Sequence, residues 1–166
     1  MNTPRCLRTV ALSGLLLSTL TGCASVRAGN ARSAYLQRAT LGYMYHSPCA
    51  NLWPQARALL FERGYEVRDT GEAGMFTLET LELRDKGGSE ASHSRYLVQA
   101  LQPSPSQCQI HFTLNHTAHQ KGQSPSTSTG RDSNIELQLI DRVEPDFGNR
   151  IHIEAEAAGE RARRAN

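Results

Sequence analysis

The chain has 166 residues, of which 39% are hydrophobic and 20% charged. This length suits one globular domain and is too short for two. Its 18 Lys and Arg residues against 16 Asp and Glu residues give a formal net charge of +2. A chain so close to neutral has no overall field to gather nucleic acid or an anionic membrane surface, so neither is an expected partner.

Residues 1–22 have the layout of an export signal. Arg5 and Arg8 form a short positive region, an apolar run follows from Val10 to Leu20, and small residues come next. The run is much shorter than the ~20 apolar residues that a transmembrane helix needs, so we do not expect a permanent membrane span. We assign these residues to a signal peptide that is removed from the mature protein.

The signal ends in Leu20-Thr21-Gly22-Cys23, which resembles the lipobox of bacterial lipoproteins. Small residues before the cysteine leave an extended peptide that a peptidase can hold, and Cys23 supplies the thiol that forms a thioether with diacylglycerol. The resemblance implies cleavage between Gly22 and Cys23, lipidation of Cys23 and attachment to a membrane through acyl chains. The alternative is an ordinary secretory signal with an incidental cysteine.

Cleavage at that position leaves 144 residues and removes two arginines, so the mature protein has 16 basic and 16 acidic residues. Ala24 follows the cysteine. By resemblance to enteric lipoproteins, in which aspartate at this position favours the inner membrane, Ala24 implies the outer membrane, facing the periplasm. We predict a lipidated cysteine and flexible tether over 23–38, one domain over 39–160 and a frayed basic tail over 161–166.

Two elements are predicted before residue 65. Apolar residues alternate with others over 41–45, which indicates a first strand with one buried face. A helix follows, with Ser47 as a candidate cap, Pro48 at the first helical position and Gly64 as a left-handed end. Pro54 removes one backbone donor in the helix body, so the helix either starts late or kinks at this point.

Several strands follow the helix, joined by short polar connections. In "GMFTLETLEL" the apolar phase switches sides, which predicts a bulge or bend. In "CQIHFTLNH" apolar and polar residues alternate without interruption. Consecutive strands with short connections pair antiparallel, so we expect a meander with one dry face. The other predicted strands are "YEVRD" and "SRYLVQAL".

The last third of the chain is predicted to contain a loop and a bent helical region. Residues 120–131 are polar and lack aromatic residues, so we expect a mobile loop. Ser133 and Glu136 resemble a capping box, and Pro145 interrupts the helix that it opens. The predicted fold class is α+β: a single antiparallel sheet of about four to five strands, with an N-terminal-side helix and a C-terminal bent helical region on one face.

The four cysteines have different predicted fates. Cys6 leaves with the signal and Cys23 is committed to lipid, so Cys49 and Cys108 remain in an oxidising environment. A disulfide between them would close a loop of about 60 residues and stabilise the fold by roughly 4 kcal/mol. The alternative is two separate buried thiols.

Catalytic motifs are missing from the sequence. It contains no Gly-x-Ser-x-Gly elbow, no phosphate-binding glycine loop and no His-Glu-x-x-His pair. His111, His116 and His119 are candidate zinc ligands, but their spacing is only weak evidence for a metal site. His111 occupies the polar side of its strand, so we favour histidines that are solvated and bind no metal. We predict no catalytic residue, no metal and no cofactor.

The segment "LWPQARALLFERGYEV" and the strands after it look like the small α+β lipoproteins of Gram-negative bacteria. These include the helix-grip domains of the C subunit of the outer-membrane β-barrel assembly machinery. The resemblance implies a binding or scaffolding role toward another envelope protein and transfers no functional residue. The alternative is a metal-dependent or hydrolytic envelope enzyme with a dispersed site, built from residues such as His93, His111 and nearby carboxylates.

Overall fold

The computed structural model describes residues 10–71, 75–85, 91–119, 122 and 124–165. They form two compact units, one of residues up to Arg38 together with those from Arg150, and one of Ala39–Asn149. The predicted domain 39–160 contains the whole of the second unit. In chain order the elements are α1 (Val10–Leu41), α2 (Cys49–Glu62), β1 (Val67–Asp69), β2 (Phe76–Thr80), β3 (Leu83–Asp85), β4 (Ala91–Ser104), β5 (Gln107–His119), β6 (Ser126–Arg131), α3 (Ser133–Val143) and α4 (Pro145–Arg164).

The described strands form one antiparallel sheet in the order β1-β2-β4-β5-β6. β3 pairs with β4 beyond the end of β2, so β2 and β3 occupy the same side of β4 in succession. The sheet confirms the predicted α+β class, with six strands rather than four to five. The count is higher because the predicted strand over "GMFTLETLEL" is divided and because β6 forms where a loop was expected.

The division between β2 and β3 falls at residues 81 and 82, where the apolar phase changes sides. The hydroxyl of Thr80, which is buried, accepts a hydrogen bond of 2.8 Å from the backbone N–H of Tyr96. A side chain therefore satisfies a strand donor at the break, which makes the interruption tolerable in a buried position.

The core lies on one face of the sheet. Leu78, Val98 and Phe112 are opposite one another on three neighbouring strands and are fully buried. α2 and α3 pack on this face and on each other, and each fully buried aliphatic side chain there contributes roughly 1.5–3 kcal/mol. The buried aliphatic residues of these helices are Leu52, Ala56, Leu59 and Leu60 of α2 and Ile135, Leu137, Leu139 and Ile140 of α3.

Helix α2 begins one residue later than its sequence suggests. Pro48 takes the N-cap position and provides no side-chain hydrogen bond, so the cap predicted from Ser47 does not form. The helix continues through Pro54. Gly64 has a φ of +84° and donates its N–H to the carbonyl of Phe61, which confirms the predicted left-handed helix end.

The first predicted strand, over 41–45, is mostly absent. Leu41 is the last residue of α1, and only Tyr45 pairs, through an isolated antiparallel bridge with Cys108. Tyr43 packs edge-on against Tyr45 and stacks on Phe147, with ring centroids 4.9 and 4.7 Å apart. The alternation therefore reflects aromatic side-chain packing, and it does not extend into a ladder.

The prediction of a mobile loop over 120–131 is wrong for its second half. Residues 126–131 pair with β5 at six consecutive positions. β5 is 13 residues long and offers an edge to pair with, and Thr127 and Thr129 are β-branched residues that suit a strand. The serines and the glycine between them hid this preference in the sequence.

The structure also differs from the flexible tether predicted for 23–38, since these residues belong to α1. The segment is rich in alanine, the best helix former, and contains no proline. Its packing partner is α4: a Cβ at Gly159 would lie 3.2 Å from the carbonyl oxygen of Ala28. A glycine at that position lets the two helices approach closely.

Candidate functional site

β6 is the outermost strand on its side of the described sheet. The N–H of Asp132 donates to the carbonyl of Phe112 at 2.9 Å, and Gly130 and Ser128 pair with Leu114 and His116. Backbone groups point alternately to the two sides of a strand, so the even-numbered residues of β6 face β5. Thr127 and Thr129 therefore direct their N–H and C=O groups away from the sheet.

The side chains of β6 leave this edge accessible. Residues 126–130 are all exposed and carry neither a charge nor a proline. The hydroxyl of Thr129 donates to Asn115 at 2.6 Å, and the hydroxyls of Thr127 and Thr117 are 3.2 Å apart, so both threonines are tied to β5. Proteins usually protect free edges with lysine, proline or a bulge, and this segment has none of them.

A buried ion pair fixes the end of β6. The side chain of Glu136, only 4% exposed, accepts two hydrogen bonds from the Arg131 guanidinium, at 2.9 and 2.8 Å. It also accepts the backbone N–H of Phe112 at 3.1 Å, so a carboxylate continues the ladder where β6 stops. Burial raises the pKa of Glu136, an effect that the Phe112 and Arg131 contacts oppose. Arg131 also donates to the carbonyl of Leu41 at 2.7 Å.

Asp132 joins β6 to α3. Its carboxylate accepts the N–H groups of Asn134 and Ile135, at 3.0 and 3.3 Å, and so caps α3 in place of the predicted Ser133–Glu136 capping box. The Tyr96 hydroxyl also donates to Asp132, and burial together with this bond raises the pKa of Tyr96. The capping-box spacing is present in the sequence, but Glu136 is turned toward the sheet instead.

Cys49 and Cys108 form a disulfide, with their Cα atoms 5.0 Å apart and both residues fully buried. This confirms the predicted bridge over the alternative of two separate thiols. It ties the first residue of α2 to β5, next to the two backbone hydrogen bonds, of 2.8 and 3.1 Å, between Tyr45 and Cys108. The outer edge of β5 is therefore fixed at this end by a bridge and at the other end by β6.

A shallow polar cleft of about 210 Å³ opens on the sheet. His93 Nδ1 lies 3.8 Å from a carboxylate oxygen of Glu82, and its ring meets that of His119 edge-on at 5.3 Å. Among the described residues, the buried atoms His93 Nδ1 and His111 Nε2 have no hydrogen-bond partner. The lining residues are Glu82, His93, Ser94, Arg95, Asn115, Thr117 and Thr127.

The sheet brings His93 and His119 together and keeps His111 away from both. His93 is opposite Thr117 and His111 is opposite Gln99, so the two are six positions, or roughly 20 Å, apart along the strands. His116 points to the other face from His111, because their positions differ by an odd number. Burial and the charge of Arg131 lower the pKa of His111. In the described part of the chain, no group of three or more potential ligands is placed to hold a metal ion.

A second exposed surface lies between α2 and β1. An open groove of about 490 Å³ runs beside Phe61, whose side chain is 76% exposed. Arg57 and Glu66 line it together with four apolar residues, and Arg57 pairs with Asp69. The apolar lining residues are Pro54, Ala58, Phe61 and Val67.

The residues of the predicted lipid site are on α1. Gly22 and Cys23 lie within this helix, whereas Arg5 and Arg8 are outside the described residues. Over the part of the chain that is described, no helix has the length and hydropathy to cross a membrane. Cleavage and lipidation at Cys23 stay predictions.

No known protein family matches this chain, and no curated protein is significantly similar to it.

Proposed function

We propose that this chain is a lipoprotein of the bacterial envelope, anchored in the outer membrane by acyl chains on Cys23 and facing the periplasm. The Leu20-Thr21-Gly22-Cys23 sequence at the end of an export signal supports the anchor. The domain is a non-enzymatic binding module, and its ligand is an extended segment of another envelope protein that adds a strand to β6.

The exposed edge of β6 is the feature that supports the proposed binding role. Thr127 and Thr129 present unpaired backbone donors and acceptors side by side on the outermost described strand. An added strand would hydrogen-bond to these groups, which is how β-augmentation supplies affinity. The buried contacts of Glu136 and Asp132 hold the strand in place before a partner arrives, so little ordering is needed on binding.

The test combines proline substitution with crosslinking in intact cells. Thr129→Pro removes an outward N–H and leaves the bonds between β6 and β5 intact, whereas Thr129→Ala keeps that N–H and is the matched control. A photoreactive residue at Ser126 reports on the β6 edge, and one at Arg68, on β1, reports on the opposite edge.

We expect Ser126 to crosslink to one discrete envelope protein, Thr129→Pro to reduce that crosslink at least tenfold, and Thr129→Ala to leave it unchanged. Equal crosslinking from Arg68, or a crosslink indifferent to Thr129→Pro, would contradict binding at this edge. Stoichiometric zinc in the purified protein, lost on His111→Ala, would favour the enzyme instead.

A further inference from the structure

The neutral mature chain has strongly segregated charge. Residues 23–38 and 150–166, which belong to the helical unit, carry seven arginines and three glutamates, a net charge of +4. Residues 39–149, the unit that contains the sheet, carry nine basic and 13 acidic residues, a net charge of −4. The balanced overall composition therefore conceals a basic set of residues, 23–38 and 150–166, that contains the predicted lipid site.

Within the helical unit, α1 and α4 run antiparallel. Arg32 forms an ion pair of 2.8 Å with Glu156, Gly159 packs against Ala28, and Arg27 donates to the carbonyl of Ala165 at 3.0 Å. The C-terminal end of α4 therefore returns toward Cys23. It brings three arginines of its last turn, all exposed, to the side of Arg27.

We call Arg27, Arg161, Arg163 and Arg164 the basic end. Arg27 is four residues after Cys23 on the same helix, which is about 6 Å along its axis. The Debye length at physiological salt is about 8 Å, so charges at this distance act on the surface in which Cys23 is anchored. Glu160 pairs with Arg163 at 2.9 Å and offsets only one of the four positive charges.

We infer that the basic end binds the headgroups of anionic phospholipids in the membrane that holds the acyl chains of Cys23. This inference rests on the proposed lipid anchor. Arginines in the last turn of α4 also compensate the helix dipole, but that effect does not account for Arg27, which belongs to the other helix. Acyl chains and a basic surface together hold the helix pair against the bilayer at two points.

The test uses the mature chain from residue 23 with Cys23→Ser, so that no acyl chain contributes to binding. Its partition onto phosphatidylcholine vesicles is compared with that onto vesicles that also contain phosphatidylglycerol. Each arginine close to an anionic surface adds about fivefold to the partition coefficient. Arg161→Gln/Arg164→Gln should therefore lower binding to the anionic vesicles by roughly 25-fold.

Arg68→Gln/Arg84→Gln removes the same charge from exposed positions on β1 and β3 and should leave binding unchanged. Arg161→Lys/Arg164→Lys keeps the charge and should retain binding, and circular dichroism verifies that α4 is intact in each variant. Equal binding to the two kinds of vesicle would overturn the inference, and so would equal losses of binding from Arg161→Gln/Arg164→Gln and from Arg68→Gln/Arg84→Gln.

Fatty-acid labelling tests the lipid anchor separately. An unlabelled Cys23 would refute the anchor and leave the vesicle result unaffected.

Discussion

Glu136 shows how one buried carboxylate can serve a strand and a helix together. Replacing it with leucine removes the acceptor of the Phe112 N–H and leaves the Arg131 guanidinium, with its side chain 26% exposed, without its carboxylate. We expect Glu136→Leu to lower the free energy of unfolding by about 3 kcal/mol, the cost of breaking a buried pair from one side.

Glu136→Gln is the matched variant, because its amide oxygen can still accept from the Phe112 N–H and the Arg131 Nε–H, whereas the charge and the acceptor for the Arg131 Nη2 are lost. Burial raises the pKa of Glu136, so a neutral side chain is better tolerated there than at a solvated position. The loss should be about 1 kcal/mol, as for an ordinary hydrogen bond, and urea denaturation measures both variants. Equal losses from the two substitutions would contradict the assigned hydrogen bonds.

Asp132 and Ser133 give a second test at this junction. Asp132→Ala removes the side-chain acceptor of two N–H groups at the start of α3 and the partner of the Tyr96 hydroxyl, and should lower stability by about 2 kcal/mol. Ser133→Ala should change it by less than about 0.5 kcal/mol, since Ser133 is not the cap. A larger loss of stability from Ser133→Ala, measured by thermal unfolding, would indicate that Ser133 caps α3 after all.

These residue roles show where sequence reasoning stops. The Ser133–Glu136 spacing is a local signal, and by itself it predicts a capping box. The contact that decides the orientation of Glu136 is the Phe112 N–H, 24 residues earlier in the chain. No periodicity in the sequence reports such a distant donor, so the sequence predicts Ser133 as the cap and the structure has Asp132 in that role.

Among the elements, the disulfide between α2 and β5 has the most direct consequence for stability. It closes a loop with a sequence separation of 59, so its loss should lower the free energy of unfolding by about 4 kcal/mol. The comparison is between the oxidised mature protein and Cys49→Ala/Cys108→Ala, both carrying Cys23→Ser. Two titratable thiols in the oxidised, denatured protein would show that the bridge is not formed.

The elements that the sequence predicted well are those with one buried side. β5 alternates from Cys108 to Phe112 because every second residue enters the core, and α2 ends at Glu62, just before Gly64 with its positive φ. β6 and the helical 23–38 segment were missed for a common reason. β6 has only exposed side chains over 126–130, and 23–38 is too poor in large apolar residues to show a period. Pairing with β5 and packing against α4 order them instead.

On the scale of the whole molecule, the composition gives the net charge but not how the charged residues are distributed in the structure. The formal net charge of the chain is only +2, yet residues 23–38 and 150–166 together carry +4 and residues 39–149 carry −4. The separation depends on α4 returning beside α1, which links residues more than 120 positions apart, such as Arg32 and Glu156. The α+β class was accessible from the sequence, and the two proposed surfaces were not.

Lipid at Cys23 is the central proposal, because the proposed anchor would place both binding surfaces at a membrane. The decisive measurement is incorporation of labelled palmitate into the chain produced in a Gram-negative host, for the wild type and for Cys23→Ser. We predict label in the wild-type protein, recovered in the outer-membrane fraction, and none in the variant. An unlabelled wild-type protein, or label that persists in Cys23→Ser, would contradict the account.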